Sequence, residues 1–480
     1  MLITVVMISV AIVCFIVATL CLGGMFHFEK KHSAYFLPIS IGLIHFSVFF
    51  KNLLTKRDVT AYVNNPGGYY VEQGGIIGLF LKGVTGLLFV MALVCIVGYF
   101  LRKSHKKLEP HLLFSFILMF LSGYVLNAAF GTVPSFNINV VVAFFVFLLP
   151  FFCVEASLKD VVFFAKSVAL TSLILGLCAA IVFPDMAIQR NFHGWIPGVY
   201  FRLWGVDNHA NTLGPLAAIF CLLEAWMPFE RKSLHRIALI AGALSLVLAQ
   251  SKTSWVAMMV ALIALYGGRY CVSFVKGFSS DKLPLSLVLV LVVPLIVCVA
   301  AFSIYATFNQ DFLFTKLMVS KEGGQLLTLT GRDVIWDISL REWERNFFFG
   351  YGPLLWNPQF SNAYNLLGVA SNAHNQFVDV LSSAGMVGLL GFVLFFTMLF
   401  AYSLKAFTAT SGYSLAIFFF LVARSTSEVP FKLGVLVSND TFIQLILISV
   451  VVIVARGKSE LLADCDGPKE KRMMLGSAVS

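Results

Sequence analysis

The sequence predicts an all-α integral membrane protein: a polytopic bundle of about 12–13 transmembrane helices with one large loop between the late helices. Three observations carry that expectation. Of 480 residues, 59% are hydrophobic and 12% charged, where a soluble domain carries about 25% charged residues, and mean hydropathy is +0.89. Apolar runs close to span length recur along the chain, separated by polar connections. Lysine and arginine crowd a subset of those connections, as they do in loops held on the cytoplasmic side.

The first run, Leu2 to Met25, is long enough to span. It lacks a basic n-region and a small-x-small cleavage site, so it reads as an uncleaved helix rather than a signal peptide. Further spans are expected near 35–50, 76–101, 112–130, 136–154, 161–183, 212–227, 237–249, 255–275, 285–306, 386–407, 413–423 and 442–455. The chain then divides into N-terminal helices (1–183), central helices with a loop at 184–211 (184–306), a large loop bearing amphipathic helices (307–384), C-terminal helices (385–456) and a cytoplasmic tail (457–480). Arg102, Lys103, Lys106 and Lys107, then Arg231, Lys232 and Arg236, then Lys276 and Lys282, and finally Arg456, Lys458, Lys469, Lys471 and Arg472 all fall on one side when spans are counted. That side is assigned to the cytoplasm. The 184–211 loop, the turn at 250–254, the large loop and the N-terminus then share the external face. Lys51, Lys56 and Arg57 also fall outside, against the rule.

The net charge of +10 reads as topology; nucleic-acid binding would need a basic soluble domain, and the pattern contains none. Most of the nine cysteines sit in apolar runs without a CxxC or Cys/His grouping. They read as small core residues, neither disulfides nor zinc ligands.

The longest stretch without a spanning pattern runs from Thr307 to Ser383. It holds GRDVIWDISLREWERNFFFGYGP. Val334, Ile335, Ile338 and Trp343 form the apolar side of a predicted helix; Asp337, Arg341, Glu344 and Arg345 form the polar side. Gly350-Tyr351-Gly352-Pro353 stops it. SNAHNQFVDVLSSAGMVGLLG follows, placing His374 and Asn375 at the start of a helix that runs into the next span.

Arg332-x-x-x-Trp336, the turn Phe349 to Gly352, and His374-Asn375 ahead of Gly385-x-x-Gly388 together resemble the O-antigen ligase and O-antigen polymerase (Wzy-type) superfamily of bacterial envelope glycosyltransferases. Upstream, Arg202 to Leu213 (RLWGVDNHANTL) and Gln250 to Trp255 (QSKTSW) fit as well. The resemblance extends roughly from Tyr200 to Phe400. It implies a multi-pass protein of the bacterial inner membrane with its active face in the periplasm. The implied partners are an undecaprenyl-diphosphate-linked glycan donor, a glycan or lipid A-core acceptor, and membrane lipid, with no nucleic acid. It also implies an inverting, metal-independent transfer without a cofactor, in exopolysaccharide, capsule or O-antigen biosynthesis.

The residues themselves point the same way. The external face gathers Arg190, His193, Arg202, Asp207, Asn208 and His209 from one loop, and Ser251, Lys252 and Thr253 from the short turn. Lys316, Lys321, Arg332, Arg341, Arg345 and His374 come from the large loop. Basic groups beside a lipid surface suit an anionic, membrane-held ligand, and a guanidinium grips two phosphate oxygens at once. His374 is the candidate catalytic base, since an unperturbed imidazole titrates near ~6.5. Arg332 and Arg202 are candidate diphosphate clamps, and Lys252 and Asn375 further substrate-binding candidates. Each has a plainer reading: a helix cap for His374, an interfacial anchor beside Tyr200 and Trp204 for Arg202, and a snorkelling side chain for Lys252. Arg332 is disfavoured at a helix start by the dipole, which favours a ligand role. Arg341 and Arg345 are expected to pair with Glu342 and Glu344. Arg424 and Glu428 are expected to form an i,i+4 pair near the outer interface, with a role in holding the glycan lipid as the alternative. The only Asp-x-Asp, Asp464-Cys465-Asp466, lies in the tail.

The rival class is a transporter, a lipid-linked glycan flippase or a secondary carrier. It predicts charges deep in spans and matched broken helices, whereas the polar residues gather on one face. Between ligase and polymerase the preference goes to the polymerase or exopolysaccharide enzyme, because nothing marks a lipid A-core site.

Overall fold

The computed structural model describes residues 33–55, 57–64, 75–101, 108–192, 194, 196–277, 332–364, 371–432 and 434–465. Among them the secondary structure is helical except for one short antiparallel ribbon. Helices α1 (Ser33–Leu54), α2 (Gly75–Leu101), α3 (Pro110–Phe130), α4 (Ile138–Phe152) and α5 (Leu158–Val182) lead to the ribbon β1 (Ile188–Arg190) and β2 (Phe201–Leu203). Helices α6 (Ala210–Trp226), α7 (Lys232–Leu248), α8 (Lys252–Gly277), α9 (Arg332–Arg345), α10 (Gln376–Lys405), α11 (Tyr413–Ser425) and α12 (Asn439–Cys465) follow.

Among the described residues, six helices are long and apolar enough to cross a membrane: α1, α2, α3, α5, α10 and the Asn439–Gly457 part of α12. Three shorter apolar helices, α4, α6 and α11, pack among them. The expected spans each coincide with a helix, apart from Leu2–Met25 and 285–306, which lie outside the described residues. Helix α12 is the most enclosed, with Phe442, Ile443, Leu445, Ile446 and Val450 fully buried. Residues such as Ile76, Leu79 and Ile263 are exposed on outer helix surfaces, as lipid-facing positions are.

Local chemistry sets the helix ends. Ser157 caps α5 by accepting from the Asp160 N–H at 3.0 Å, and Asn137 caps α4 through Asn139 N–H at 3.0 Å. At the end bearing the Arg231 connection and Arg456 of α12, buried polar contacts tie helices together. Lys166 meets Glu224 at 2.8 Å, His235 meets Glu224 at 2.7 Å, and Arg456 donates to the Pro150 carbonyl at 3.0 Å in the last turn of α4. Tyr402 donates to Glu109 at 2.9 Å.

The opposite end holds the 183–209 loop, the turn before α8, α9 and the start of α10. Arg57 explains the basic residue that broke the charge rule there. Its guanidinium donates to the Met186 carbonyl at 3.1 Å and to the Gly205 carbonyl at 3.0 Å, so it staples the loop to the end of α1.

Three expectations about the large loop need correction. Helix α9 ends at Arg345 rather than Gly350, because Asn346 turns the chain, accepting from Phe349 N–H at 3.2 Å and donating to the Phe130 carbonyl at 2.8 Å. Its buried face is Ile335, Ile338, Ser339 and Glu342, while Val334 is exposed; a polar Glu342 is accommodated because Arg345 reaches it at 2.7 Å and Tyr364 also bonds it. Helix α10 does not run straight into its span but breaks at Gly385, where φ is 65° and ψ is −167°, a region open essentially to glycine alone. The break frees backbone groups that the Phe347–Gly352 turn takes up. Tyr351 N–H bonds to Ser382 O at 2.8 Å, Gly352 N–H to Ser383 O at 2.9 Å and Met386 N–H to Phe347 O at 3.0 Å.

A Cβ at Gly385 would stand 2.3 Å from the Phe348 backbone. Gly385→Ala is therefore expected to lower the thermal midpoint of the detergent-solubilised protein, losing at least ~1–3 kcal/mol from the backbone conformation alone. Gly83→Ala, whose Cβ meets nothing within 4 Å, should leave the midpoint at or above that of the parent.

Candidate active site

The Glu428 carboxylate, in the turn after α11, sits where separate segments converge. Oε2 meets His374 Nδ1 at 3.3 Å and Oε1 meets the Arg332 guanidinium at 3.7 Å. Asn211 Nδ2, in the first turn of α6, donates to Oε1 at 3.2 Å. Burial pushes the Glu428 carboxyl up. The His374 hydrogen bond and the charges of His374, Arg424 and Arg332 outweigh it and hold the carboxyl below its ordinary value.

Arg202 enters through β2, paired opposite Gln189 of β1. Its Nε donates to the Ala249 carbonyl at 2.8 Å, and its terminal nitrogen bonds Asn211 Oδ1, joining it to Glu428 through one amide. Burial lowers its pKa to about 10, opposed by the nearby Glu428 charge; the group remains a cation at neutral pH. Trp204 beside it is fully buried, so the pair does not sit as interfacial anchors.

Arg332 opens α9, where Glu428 offsets the dipole penalty. Four residues on, Trp336 donates its indole N–H to the Ala373 carbonyl at 2.8 Å. The Arg-x-x-x-Trp spacing thus aims a cation and a hydrogen-bond donor from one helix face at the segment carrying His374.

That segment is held tightly. Ala373 N–H bonds to Asp379 at 2.9 Å, His374 N–H to Asn372 at 2.8 Å, and Lys432 reaches the Ser371 carbonyl at 2.8 Å. His374 adopts φ +48°, a left-handed conformation uncommon for a non-glycine residue. Asn375 caps α10, accepting from Phe377 N–H at 3.0 Å and Val378 N–H at 3.1 Å, and donates to the Thr426 carbonyl at 3.2 Å. Its amide is engaged in fixing the helix start against the turn that carries Glu428.

The structure therefore brings His374, Arg332 and Arg202 together around Glu428 and sets Asn375 beside them. Lys252 begins α8 next to Ser251, whose hydroxyl lies 3.4 Å from Asn211 Oδ1; its own side chain is exposed. His193, Lys316 and Lys321 lie outside the described residues. Arg341 pairs with Asp337 at 2.6 Å instead of a glutamate, and Arg345 pairs with Glu342 at 2.7 Å. The expected Arg424–Glu428 ion pair is replaced: Arg424 bonds Asp440 of α12, which frees Glu428 for His374 and Arg332. Asn211 is the piece the sequence did not single out for the site, although it lay inside the RLWGVDNHANTL motif, and Glu428 was read as the partner of Arg424, with a role in holding the glycan lipid only as the alternative.

Residues 237–393 match the family model for O-antigen ligase, Wzy_C. That stretch of the chain is similar to the O-antigen ligase domain, and the described residues around and within it include six helices long and apolar enough to cross a membrane. No curated protein matches the chain. The O-antigen ligase match includes Lys252, Arg332, His374 and Asn375, while Arg202, Asn211 and Glu428 reach the same cluster from outside the matched residues.

Two buried groups border the cluster. His209 caps α6, its Nδ1 accepting from Asn211 N–H at 2.9 Å. Burial, then the Arg202 charge, lowers its pKa to about 4. Asp207 accepts from Asn208 N–H at 2.7 Å and Thr212 at 2.9 Å; burial raises its pKa to about 6. Their linkages oppose one another. His209, depressed in the fold, costs stability as pH falls below ~6.5. Asp207, raised in the fold, costs stability as pH rises from ~3.9 towards the value in the fold. His209→Asn keeps a capping oxygen and removes the first contribution. At pH 5 the variant should gain about 2 kcal/mol over the parent, with little difference at pH 7.5. Thermal midpoints at the two pH values measure this; an equal shift at both would contradict the buried neutral imidazole.

Proposed function

We propose that the protein is a metal-independent, inverting glycosyltransferase. It moves a glycan from undecaprenyl diphosphate to an acceptor hydroxyl at the periplasmic face of the bacterial inner membrane, in polysaccharide biosynthesis. The observation that carries the reading is the cluster in which Arg332 and His374 share Glu428, with Arg202 joined through Asn211. With Arg424 matched by Asp440, two further guanidiniums and an imidazole face a single carboxylate. The surplus positive charge suits a diphosphate.

In this reading the His374 imidazole donates Nδ1–H to Glu428, which leaves the Nε2 lone pair for the acceptor hydroxyl. The hydroxyl oxygen attacks the anomeric carbon as the bond to the diphosphate oxygen breaks. The proton passes to Nε2, the bonding electron pair leaves on the diphosphate, and Arg332 and Arg202 stabilise the charge developing there. The clustering of these groups at one end of the bundle favours a transferase over a carrier, whose site belongs near the midplane. The preferred acceptor is another lipid-linked repeat unit.

The test is transfer by purified protein in nanodiscs with a lipid-linked oligosaccharide as substrate. His374→Ala should lower kcat ~10²–10⁴-fold, and Arg332→Ala should raise the KM for donor, both with parental melting behaviour. Full activity in both would sink the assignment. EDTA should leave the rate unchanged. Glu428→Gln should lower kcat at least about tenfold without raising the donor KM, because it misorients the base while making the cluster more positive.

A further inference from the structure

A cavity of about 330 Å³ lies beside the cluster, at the low end of the ~300–1,000 Å³ range for small-ligand sites. Neither His374, Glu428, Arg332 nor Arg202 lines it. Its wall includes Trp356, Asn127, Tyr124, Gln376, Asp379 and Lys432. The 373–376 segment connects it to the cluster: Asp379 bonds Ala373 N–H at 2.9 Å, while the neighbouring His374 side chain reaches Glu428 at 3.3 Å.

Three backbone irregularities meet at this cavity. Leu121–Val125 of α3 is a π-helical turn, and its Gly123 and Tyr124 line the wall. Trp356 has φ +68°, and α10 breaks at Gly385 next to the lining residue Ala384. π-turns and left-handed non-glycine residues carry a cost and concentrate at functional sites.

The polar inventory is also incomplete. Asn127 Nδ2 donates to Ser383 O at 3.2 Å, but its Oδ1 is buried without a partner. The Trp356 indole N–H approaches the Asp379 carboxylate without reaching hydrogen-bonding geometry and is likewise buried without a partner. Both residues are more than nine-tenths buried. An orphaned buried donor or acceptor costs about 1–3 kcal/mol, so a ligand that completes both recovers that cost. An indole, an orphaned amide oxygen and a carboxylate around a small space suit a neutral polyhydroxylated ring. The one cation in the wall, Lys432, is bonded to Ser371, which disfavours a phosphate.

We propose that this cavity holds a sugar unit of the acceptor glycan, resting on the transferase reading above. Inversion requires the acceptor to approach from the side away from the leaving diphosphate. The arginine cluster occupies one side of the His374 segment, and the cavity provides a neutral polar seat on another.

The experiment measures calorimetric binding to the full chain in nanodiscs. The probes are undecaprenyl diphosphate and the lipid-free oligosaccharide released by mild acid from the host's own lipid-linked glycan. The oligosaccharide should bind the parent with saturation, and saturating undecaprenyl diphosphate should not displace it. Trp356→Phe, which removes only the indole N–H and ring area, and Asn127→Ala should each weaken oligosaccharide binding at least about fivefold, leaving undecaprenyl diphosphate affinity unchanged. Arg332→Ala should do the reverse. Unchanged oligosaccharide affinity in Trp356→Phe and Asn127→Ala, or no binding to a parent that binds undecaprenyl diphosphate, overturns the sugar seat alone. Absence of undecaprenyl diphosphate binding by the parent overturns the transferase reading instead. Should Asn127→Ala fail to fold, Trp356→Phe decides by itself.

Discussion

A carboxylate removed from water costs several kcal/mol unless its oxygens are matched by charges and donors. Glu428 meets that requirement only when the start of α9, the segment ahead of α10 and the first turn of α6 stand together. The acid is thus a sensor of correct assembly as well as a site residue. It couples Asn211, at the end of the 184–211 loop, to the large loop, segments far apart in sequence. Because its partners outnumber it in charge, the same contact that closes the structure leaves a positive surplus at its surface. In the proposed reading, stability and anion recognition come from one arrangement.

The second constraint is on the backbone. His374 is held in a left-handed conformation that an isolated chain would leave, at a cost of order 1–3 kcal/mol. Trp336, Asp379, Asn372 and Lys432 fix the backbone groups of 371–374 from several elements. Asn375 then converts that fixed loop into the start of α10. An imidazole on an unsupported loop would sample many orientations, and a base must hold its nitrogen within hydrogen-bond reach of the acceptor. The strain is the consequence of pointing the side chain at Glu428 while the chain turns into a helix. The break at Gly385 serves the same end, since the freed carbonyls of Ser382 and Ser383 anchor the turn after α9.

The apolar periodicity made the helical fold legible, because in lipid every backbone group must be satisfied within its own segment. Arg332, Trp336, His374 and Asn375 were legible because short spacings on a helix face or at a cap carry geometry within themselves. Glu428 and Asn211 were not. Their roles depend on tertiary convergence, and i,i+4 spacing offered Arg424 as a closer partner for Glu428. That local pairing lost to Asp440, which approaches Arg424 from α12. Glu342 misled in a similar way: its charge suggested the solvent face of α9, yet Arg345 and Tyr364 cover it in the fold. The break in α10 was hidden for a different reason, since Gly385 and Gly388 read equally well as small residues for close helix packing.

Arg57 shows how a charge rule and a bonding requirement compete. The rule counts free cations near span ends, because those resist transfer across the membrane. Arg57 is half-buried and committed to the Met186 and Gly205 carbonyls, so it acts as a structural donor at the loop that positions Arg202. At the other end of the bundle, Lys166 is neutralised by Glu224 and lies 3.7 Å from the centre of the Phe229 ring. Neither side chain is therefore free to act as a charge signal, whereas Arg231, Lys232 and Arg236 stand exposed in their connection. That connection lies at the end away from Glu428, so where it is cytoplasmic, as the sequence expects, the proposed site falls on the opposite face.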